Sequence, residues 1–232
     1  MKGHRIFETQ DGSRSLFSER FGVSYHSKYG AWQETQHVFI EAGMRYQAID
    51  KTSLSILDIG YGTGLNCIAS LFFAFQQNLS LDYVGLEAFP VPKDTLTALH
   101  YPTELDWTED QERLYHQMQN CDWDGQPQQM SMVDSSNRVH LTKRQQRFEE
   151  LEEAARYDVI YYDAFAPEAQ PELWTIEMFE RMYRALNPEG VLVTYCAKGQ
   201  VKRDMKSAGF TVERLKGPPG KREMTRATKS VS

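Results

Sequence analysis

Residues 57–66 read Leu57-Asp58-Ile59-Gly60-Tyr61-Gly62-Thr63-Gly64-Leu65-Asn66. An apolar, strand-forming run leads into three glycines, and a helix-forming segment follows them. Glycine lets the backbone turn sharply and lets a ligand approach it closely, and the free N–H groups at a helix start are hydrogen-bond donors. This stretch therefore predicts a strand, a ligand-binding turn and a helix, which is the opening unit of a layered α/β fold.

The glycine spacing indicates the kind of ligand. The phosphate-binding version of this turn has the pattern G-x-G-x-x-G. Here the pattern is G-x-G-x-G, and Asp58 precedes Gly60 by two positions. An acid at that place suits a ligand with a cationic amino-acid end, which points to S-adenosyl-L-methionine. The next strand ends at Glu87, where a carboxylate can bind both ribose hydroxyls. A tight strand-to-helix connection remains the alternative for the turn taken alone.

Strands and helices alternate along the rest of the chain. Strands are predicted at 54–58, 81–86, 139–142, 158–162, 191–195, 210–214 and 224–228. Helices are predicted at 65–77, 109–119, 171–186 and 200–207, with a charged helix ending at 155 and a loop around 125–127. Such alternation is typical of a mostly parallel sheet covered by helices on both faces.

The connection between the last two predicted strands is too short for a crossover helix. Residues 215–223 span fewer than the dozen that a parallel crossover needs, so these strands must pair antiparallel or lie apart. A parallel sheet closed by one antiparallel strand is the class I S-adenosyl-L-methionine-dependent methyltransferase (Rossmann-like) topology. We therefore expect a seven-stranded α/β sheet with an antiparallel last strand.

The first fifty residues precede this pattern. Turn-punctuated short strands flank Asp11-Gly12, a third is expected at 21–25, and residues 32–49 show helical periodicity. We expect residues 1–50 to form an N-terminal extension packed on the core, and residues 51–232 to form the methyltransferase domain.

A buried strand runs directly into Asp163. The chain continues as Asp163-Ala164-Phe165-Ala166-Pro167. Ligands of open α/β sheets bind beyond the carboxyl ends of the strands. A carboxylate there can hold an amine nucleophile in line with a sulfonium and accept its proton or stabilise its charge. Asp163 is thus the predicted catalytic residue, with a turn cap as the alternative role. The predicted cofactor-binding residues are Asp58, Gly60, Tyr61, Gly62, Gly64, Asn66, Glu87, Asp163 and Phe165.

Composition and charge narrow the class of protein. The chain has 232 residues, of which 41% are hydrophobic, and a formal charge of −6. Its longest apolar run, 71–75, is far shorter than a membrane helix. Three scattered cysteines indicate a reducing, cytoplasmic environment with neither disulfides nor a metal site.

The last 35 residues hold ten basic and three acidic residues, a charge of +7, so the other 197 carry −13. A local basic segment can bind a polyanion despite an acidic total; ordinary surface solvation is the alternative.

Several segments together resemble a known family, the bacterial tRNA 5-methylaminomethyl-2-thiouridine methyltransferases (the methyltransferase half of MnmC or its stand-alone form, MnmD). The resemblance covers nearly the whole chain. The matching segments lie at 25–27, 34–40, 60–66, 163–167, 170–174, 194–199 and 217–224. It implies methylation of the 5-aminomethyl group of the tRNA wobble uridine by S-adenosyl-L-methionine. Because no flavin-binding oxidase half follows, the stand-alone form is expected.

One segment departs from the usual pattern of class I methyltransferases. These enzymes commonly carry Gly-Asp after the third strand, where the acid holds the adenine amino group. Here residues 141–148 read Leu-Thr-Lys-Arg-Gln-Gln-Arg-Phe. A glutamine can replace the aspartate as acceptor, but no residue is assigned to that contact.

Substrate contacts are expected from both ends of the chain. Tyr25 and Glu34 are candidates for assisting Asp163, although Tyr25 also suits core packing and Glu34 suits the first turn of a helix. Lys198, Lys221 and Arg222 are candidates for binding phosphates of the tRNA anticodon stem-loop. Two other kinds of protein stay open: a same-fold enzyme with another amine acceptor (an aminopropyltransferase or small-molecule N-methyltransferase), and a non-catalytic RNA-binding module.

Overall fold

The computed structural model describes residues 3–132 and 135–230. Eleven strands occur in this part of the chain. They are β1 (His4–Glu8), β2 (Arg14–Ser18), β3 (Val23–Ser24), β4 (Ser53–Ile59), β5 (Ser80–Glu87), β6 (Gln128–Met130), β7 (Val139–Gln145), β8 (Tyr157–Tyr162), β9 (Leu186–Thr194), β10 (Thr211–Lys216) and β11 (Glu223–Thr228).

The helices cover both faces of the main sheet. They are α1 (Ala31–Thr35), followed directly by a π-helix (Gln36–Arg45), then α2 (Leu65–Gln76), α3 (Lys93–Thr97), α4 (Tyr101–Glu104), α5 (Glu109–Asn120), α6 (Ile176–Ala185) and α7 (Gly199–Ser207). The predicted helix at 32–49 is present, but most of it is π-helical.

The main sheet has the order β10-β11-β9-β8-β4-β5-β7-β6. Strands β7, β5, β4, β8 and β9 run parallel, whereas β11 lies antiparallel between β9 and β10. This confirms the predicted class I methyltransferase architecture with its antiparallel last strand. The sheet has eight strands where seven were expected, because β6 in the predicted loop region adds an antiparallel edge strand beside β7.

One predicted helix is wrong. The charged helix ending at 155 is absent, and the chain there forms only a 3-10 turn at Phe148–Glu150. The composition of this segment favours a helix, but only Phe148 and Leu151 in it are buried, and a short helix is marginal without more tertiary packing. Sequence analysis also missed the two short helices α3 and α4.

Two apolar layers sandwich the sheet, and the strand pleat sends alternate side chains into each. In β8, Val159 and Tyr161 enter one layer, while Ile160 and Tyr162 enter the other. Each fully buried side chain of this size contributes about 1.5–3 kcal/mol through removal from water. Burial on both faces explains why the parallel strands read as continuous apolar runs.

The N-terminal residues form a separate three-stranded antiparallel sheet, β1-β2-β3, whose first hairpin turns at Asp11-Gly12. The π-helix then packs on the main sheet, with the Phe39 and Tyr161 rings 5.1 Å apart. The proposed division into units at residue 50 stays a prediction. Within the described residues no helix is both long and apolar enough to cross a membrane.

Candidate active site

The carboxyl ends of β4, β5 and β8 meet around a cavity of about 230 Å³. Eight of the predicted site residues line it, together with residues from the N-terminal segment. These eight are Tyr25, Gly60, Tyr61, Gly62, Asn66, Glu87, Asp163 and Phe165. The parallel register brings the glycine turn, Glu87 and Asp163 together, because β4, β5 and β8 end at the same edge of the sheet.

The glycine turn requires glycine where it passes the end of β8. Gly60 has φ +96°, and a Cβ on it would lie 2.7 Å from the carbonyl oxygen of Asp163. Gly62 has φ +54°, and its Cβ would meet the Tyr25 ring at 3.1 Å. Side chains at these positions would therefore clash or fill the cavity beside the turn.

Glu87 at the end of β5 is fixed by the backbone. Its carboxylate accepts hydrogen bonds from the N–H groups of Gly62 (3.1 Å) and Phe89 (2.9 Å). Burial raises the pKa of Glu87, and these backbone donors oppose that shift. Each carboxylate oxygen has a further lone pair, so Glu87 can still accept hydrogen bonds from a diol in the cavity.

Asp163 is oriented by a chain of side-chain hydrogen bonds. Asn66 Nδ2 donates to Asp163 Oδ2 at 2.8 Å, and Thr35 Oγ1 donates to Asn66 Oδ1 at 2.9 Å. The Thr35 hydroxyl thereby fixes which end of the Asn66 amide faces Asp163. Burial raises the pKa of Asp163 well above its ordinary value, and the charges of Asp58 and Glu34 add to this effect.

Asp58 does not line the cavity. It is fully buried behind the glycine turn, where Tyr83 Oη donates to its Oδ2 at 2.6 Å. Its Oδ1 has no partner among the described residues, and burial raises its pKa to about 7. Its predicted contact with the amino-acid end of the cofactor stays a prediction. Gly64, the residue that precedes α2, is also buried.

Glu34 and Lys221 form an ion pair that joins the two ends of the chain. Glu34 is only 6% exposed, and its carboxylate also accepts the Ser27 N–H at 2.9 Å. The Lys221 ammonium lies over the Tyr195 ring, 3.9 Å from its centre. Lys221 therefore points inward, whereas it was expected to face a phosphate.

The other two predicted phosphate ligands lie on the surface. Lys198 is exposed and pairs with Glu168 in the loop after β8. Arg222 is exposed next to Lys221 in the turn between β10 and β11. The structure thus separates the three basic candidates into one inward-facing lysine and two surface cations.

Phe165 and Tyr25 form an apolar wall of the cavity. Their rings meet edge-on with centres 5.1 Å apart. Trp174 Nε1 donates to the Phe165 carbonyl at 2.8 Å and holds this loop in place. The Tyr25 hydroxyl lies 3.1 Å from His4 Nε2. Burial raises the pKa of Tyr25.

Sequence reasoning missed part of the cavity wall. Arg20 stacks 3.6 Å over the Phe89 ring, and both line the cavity beside His26. Arg147 and Glu149, which pair at 3.2 Å, also reach it from the turn after β7. The charged residues at 147–150 are the available signal there, although their composition favours a helix.

The residues present fit S-adenosyl-L-methionine. Gly60 and Gly62 line the cavity with bare backbone, Glu87 offers acceptors for a diol, and Phe165 offers an apolar surface. Among residues 3–132 and 135–230, no cluster of three or more His, Cys, Asp or Glu side chains could hold a metal ion.

The sheet order and the acid-flanked glycine turn define a class I methyltransferase. Residues 110–230 match the profile of the family described as S-adenosyl-L-methionine-dependent methyltransferase. The chain belongs to this family, and S-adenosyl-L-methionine is its cofactor.

Curated relatives match almost the whole chain. The tRNA 5-methylaminomethyl-2-thiouridine biosynthesis bifunctional protein MnmC of Nitrosospira multiformis is 32% identical over 94% of this chain and 36% of its own length. The protein of that name from Chromobacterium violaceum is 31% identical over 96% of this chain and 34% of its own length. The chain thus spans about a third of the length of these relatives.

Solved structures support the fold. MnmC2 from Aquifex aeolicus has a TM-score of 0.73 at 24% identity and covers 100% of this chain and 72% of that one. Spermidine synthase from Thermotoga maritima has a TM-score of 0.58 at 15% identity and covers 99% of this chain and 70% of that one. At these identities the similarity shows the shared sheet and helix arrangement alone.

Proposed function

We propose that this chain transfers a methyl group from S-adenosyl-L-methionine to the primary amine of 5-aminomethyl-(2-thio)uridine at the tRNA wobble position. The product is 5-methylaminomethyl-(2-thio)uridine. The observation that carries the proposal is the Asp163 carboxylate in the cavity wall, fixed by Asn66 at the carboxyl end of β8. The names of the relatives that match 94–96% of the chain indicate which amine it serves.

The side chains around the cavity have separable roles in this reaction. Glu87 and the backbone of Gly60 and Gly62 would hold the cofactor, which supplies an electrophilic methyl group when bound. Asp163 accepts a hydrogen bond from the amine and holds its nitrogen in line for attack, since positioning supplies much of the rate of such displacements. An amine attacks only when neutral, so its extra proton must leave first. The raised pKa of Asp163 makes its carboxylate a better proton acceptor.

The partner is proposed to be tRNA, contacted through its anticodon stem-loop, in the cytoplasm. The basic last 35 residues support this proposal, as they place Lys198 and Arg222 at the surface near the strand ends that form the cavity. Three free, buried cysteines suit a reducing compartment.

The decisive experiment is transfer of labelled methyl from S-adenosyl-L-methionine to bulk tRNA from a strain that lacks this modification, followed by nucleoside analysis. Label in 5-methylaminomethyluridine or its 2-thio form supports the proposal. Label on a polyamine supplied in place of tRNA, or no transfer at all, contradicts it.

Replacing Asp163 tests the mechanism within the same assay. Asp163→Ala and the isosteric Asp163→Asn are expected to lower methyl transfer by about 100-fold or more, because the acceptor for the amine proton is lost. Both should stay folded, since burial disfavours the ionised carboxylate in the native state. Thermal unfolding provides the control, and near-wild-type turnover in either variant would remove Asp163 from the mechanism.

A further inference from the structure

His26 is a cavity-lining side chain to which the mechanism so far gives no task. Its Nδ1 lies 2.9 Å from Ser15 Oγ on strand β2. Within the described residues, its Nε2 has no hydrogen-bond partner. One ring nitrogen is therefore anchored in the N-terminal sheet, and the other is free for a ligand in the cavity.

The Ser15 contact defines which nitrogen carries the proton. Ser15 is 0% exposed, and His26 Nδ1 is the sole hydrogen-bond partner of its hydroxyl in the described part of the chain. Leaving a buried hydroxyl proton unpaired is costly, so the hydroxyl donates to Nδ1. In the neutral ring the proton then sits on Nε2. Burial lowers the pKa of His26 to about 4, which keeps the ring neutral.

His26 lines the same cavity as Asp163. The charged groups that shift the pKa of His26 are Glu34, Asp11 and Lys221. Two of these, Glu34 and Lys221, also shift the pKa of Asp163. Glu87, the acid predicted to bind the ribose, instead shifts the pKa of Tyr25. Ser27, the residue after His26, donates its N–H to Glu34 at 2.9 Å. His26 and Asp163 thus line one cavity beside a shared charge environment, and a substrate whose amine is held by Asp163 can reach His26.

We propose that His26 is a specificity-determining residue whose Nε2–H donates a hydrogen bond to the pyrimidine carbonyl next to the carbon that bears the aminomethyl group. The inference rests on the proposed function. Uracil has an acceptor oxygen at that ring position, whereas cytosine has an amino donor. A fixed neutral donor therefore binds uracil and opposes cytosine, because two donors would face each other. A neutral ring also avoids repulsion of a substrate that arrives as an ammonium ion.

Two variants and two oligonucleotides test this inference. The oligonucleotides are anticodon stem-loops that carry 5-aminomethyluridine or 5-aminomethylcytidine at the wobble position. His26→Phe fills the space without a donor, and His26→Gln places an amide N–H where Nε2–H stands. Steady-state kinetics give kcat and KM for each enzyme with each stem-loop. Calorimetry gives the Kd of S-adenosyl-L-methionine for each enzyme.

His26→Phe is expected to lower kcat/KM on the uridine stem-loop by about tenfold, mainly through KM, which corresponds to the loss of one hydrogen bond. His26→Gln should retain most of the wild-type value. The wild type should prefer uridine to cytidine by at least about tenfold, and His26→Phe should lose most of this preference. The Kd of the cofactor should stay unchanged in both variants.

Three results would overturn the inference while leaving the proposed function intact. The first is a wild type that methylates both stem-loops equally. The second is His26→Phe kinetics equal to wild type. The third is a rise in the cofactor Kd that matches the fall in kcat/KM, which would assign the donor to the cofactor. A wild type that methylates neither stem-loop would refute the proposed function and this inference together.

Discussion

Two carboxylates near the glycine turn, Asp163 and Asp58, have opposite surroundings. Asp163 is oriented by the Asn66 amide and opens into the cavity. Asp58, one strand away, is closed off behind the turn with one oxygen unpartnered in the described structure. The first arrangement leaves a carboxylate available to a substrate, whereas the second places a costly polar group inside the core. The difference follows from strand position, since Asp163 comes just after β8 whereas Asp58 lies within β4.

Asp58 makes stability depend on pH. Its pKa of about 7 in the folded protein exceeds the ordinary value of 3.8. The folded state therefore holds a proton that the unfolded chain releases, and this group makes folding less favourable as pH rises from about 4 to about 7. Asp58→Asn removes that dependence while keeping an acceptor for Tyr83. Relative to wild type, the variant should gain stability over this range, by a few kcal/mol at most.

Calorimetric melting at pH 5, 6, 7 and 8 checks this prediction. Asp158→Asn serves as a comparison, because hydrogen bonds to Ser55 and Lys51 lower the pKa of Asp158 whereas the pKa of Asp58 is raised. A Tm difference between Asp58→Asn and wild type that stays constant with pH would show that Asp58 does not titrate there.

At the scale of elements, the turn between β10 and β11 connects the last strands to the N-terminal helix α1. Gly217 N–H donates to the Arg222 carbonyl at 3.1 Å and closes the turn, which aims Lys221 inward at Glu34 and leaves Arg222 outside. Adjacent residues therefore differ in role, because the turn sends their side chains in different directions. The charges of this ion pair also act on the pKa of Asp163 in opposite directions, since Glu34 raises it and Lys221 lowers it.

Lys221→Ala should destabilise the protein by about 1–3 kcal/mol, because it leaves the nearly buried Glu34 carboxylate without its cation. Arg222→Ala, the matched neighbour, should change stability by less than about 0.5 kcal/mol. Urea unfolding of Lys221→Ala, Glu34→Gln and the double variant completes a double-mutant cycle. Additive effects of the two single changes would show that the pair contributes no coupling energy.

At the scale of the whole molecule, charge is divided between an acidic body and a basic C-terminal segment. Several cations of this segment are exposed: Lys198, Arg203, Lys206, Arg214, Lys216 and Arg222. Such a local field attracts a polyanion even though the total charge is negative. If tRNA binds here, its affinity must fall with salt, because each neutralised phosphate releases counterions.

Arg222→Glu should weaken tRNA binding and reduce the slope of log K against log salt by about 1, as expected for one lost phosphate contact. Arg138→Glu is the matched control, because Arg138 is also exposed but precedes β7 at the opposite, amino-terminal edge of the sheet. Fluorescence titration at several salt concentrations measures both variants. Equal losses in the two would show that binding depends on total charge and not on this segment.

Much of the fold was accessible from sequence because it depends on local patterns. The strand-turn-helix at 57–66, the strand ending at Asp163 and the antiparallel closure after residue 215 follow from apolar runs, glycines and connection lengths. The failures occurred where a segment was short or charged. Strand β6 has three residues, and in the 147–155 run only Phe148 and Leu151 are buried, which is too little packing to hold a helix.

The sequence by itself determined the sheet topology, the glycine turn and the acids at the ends of β5 and β8, since these depend on residue type and spacing along the chain. Only the tertiary structure decided that Thr35 and Asn66 orient Asp163, that Lys221 turns inward to Glu34, and that Ser15 hydrogen-bonds His26 Nδ1 and so leaves the ring proton on Nε2. These contacts join residues that are far apart in the chain. Their geometry comes from packing of the N-terminal segment against the sheet edge, which no local pattern encodes.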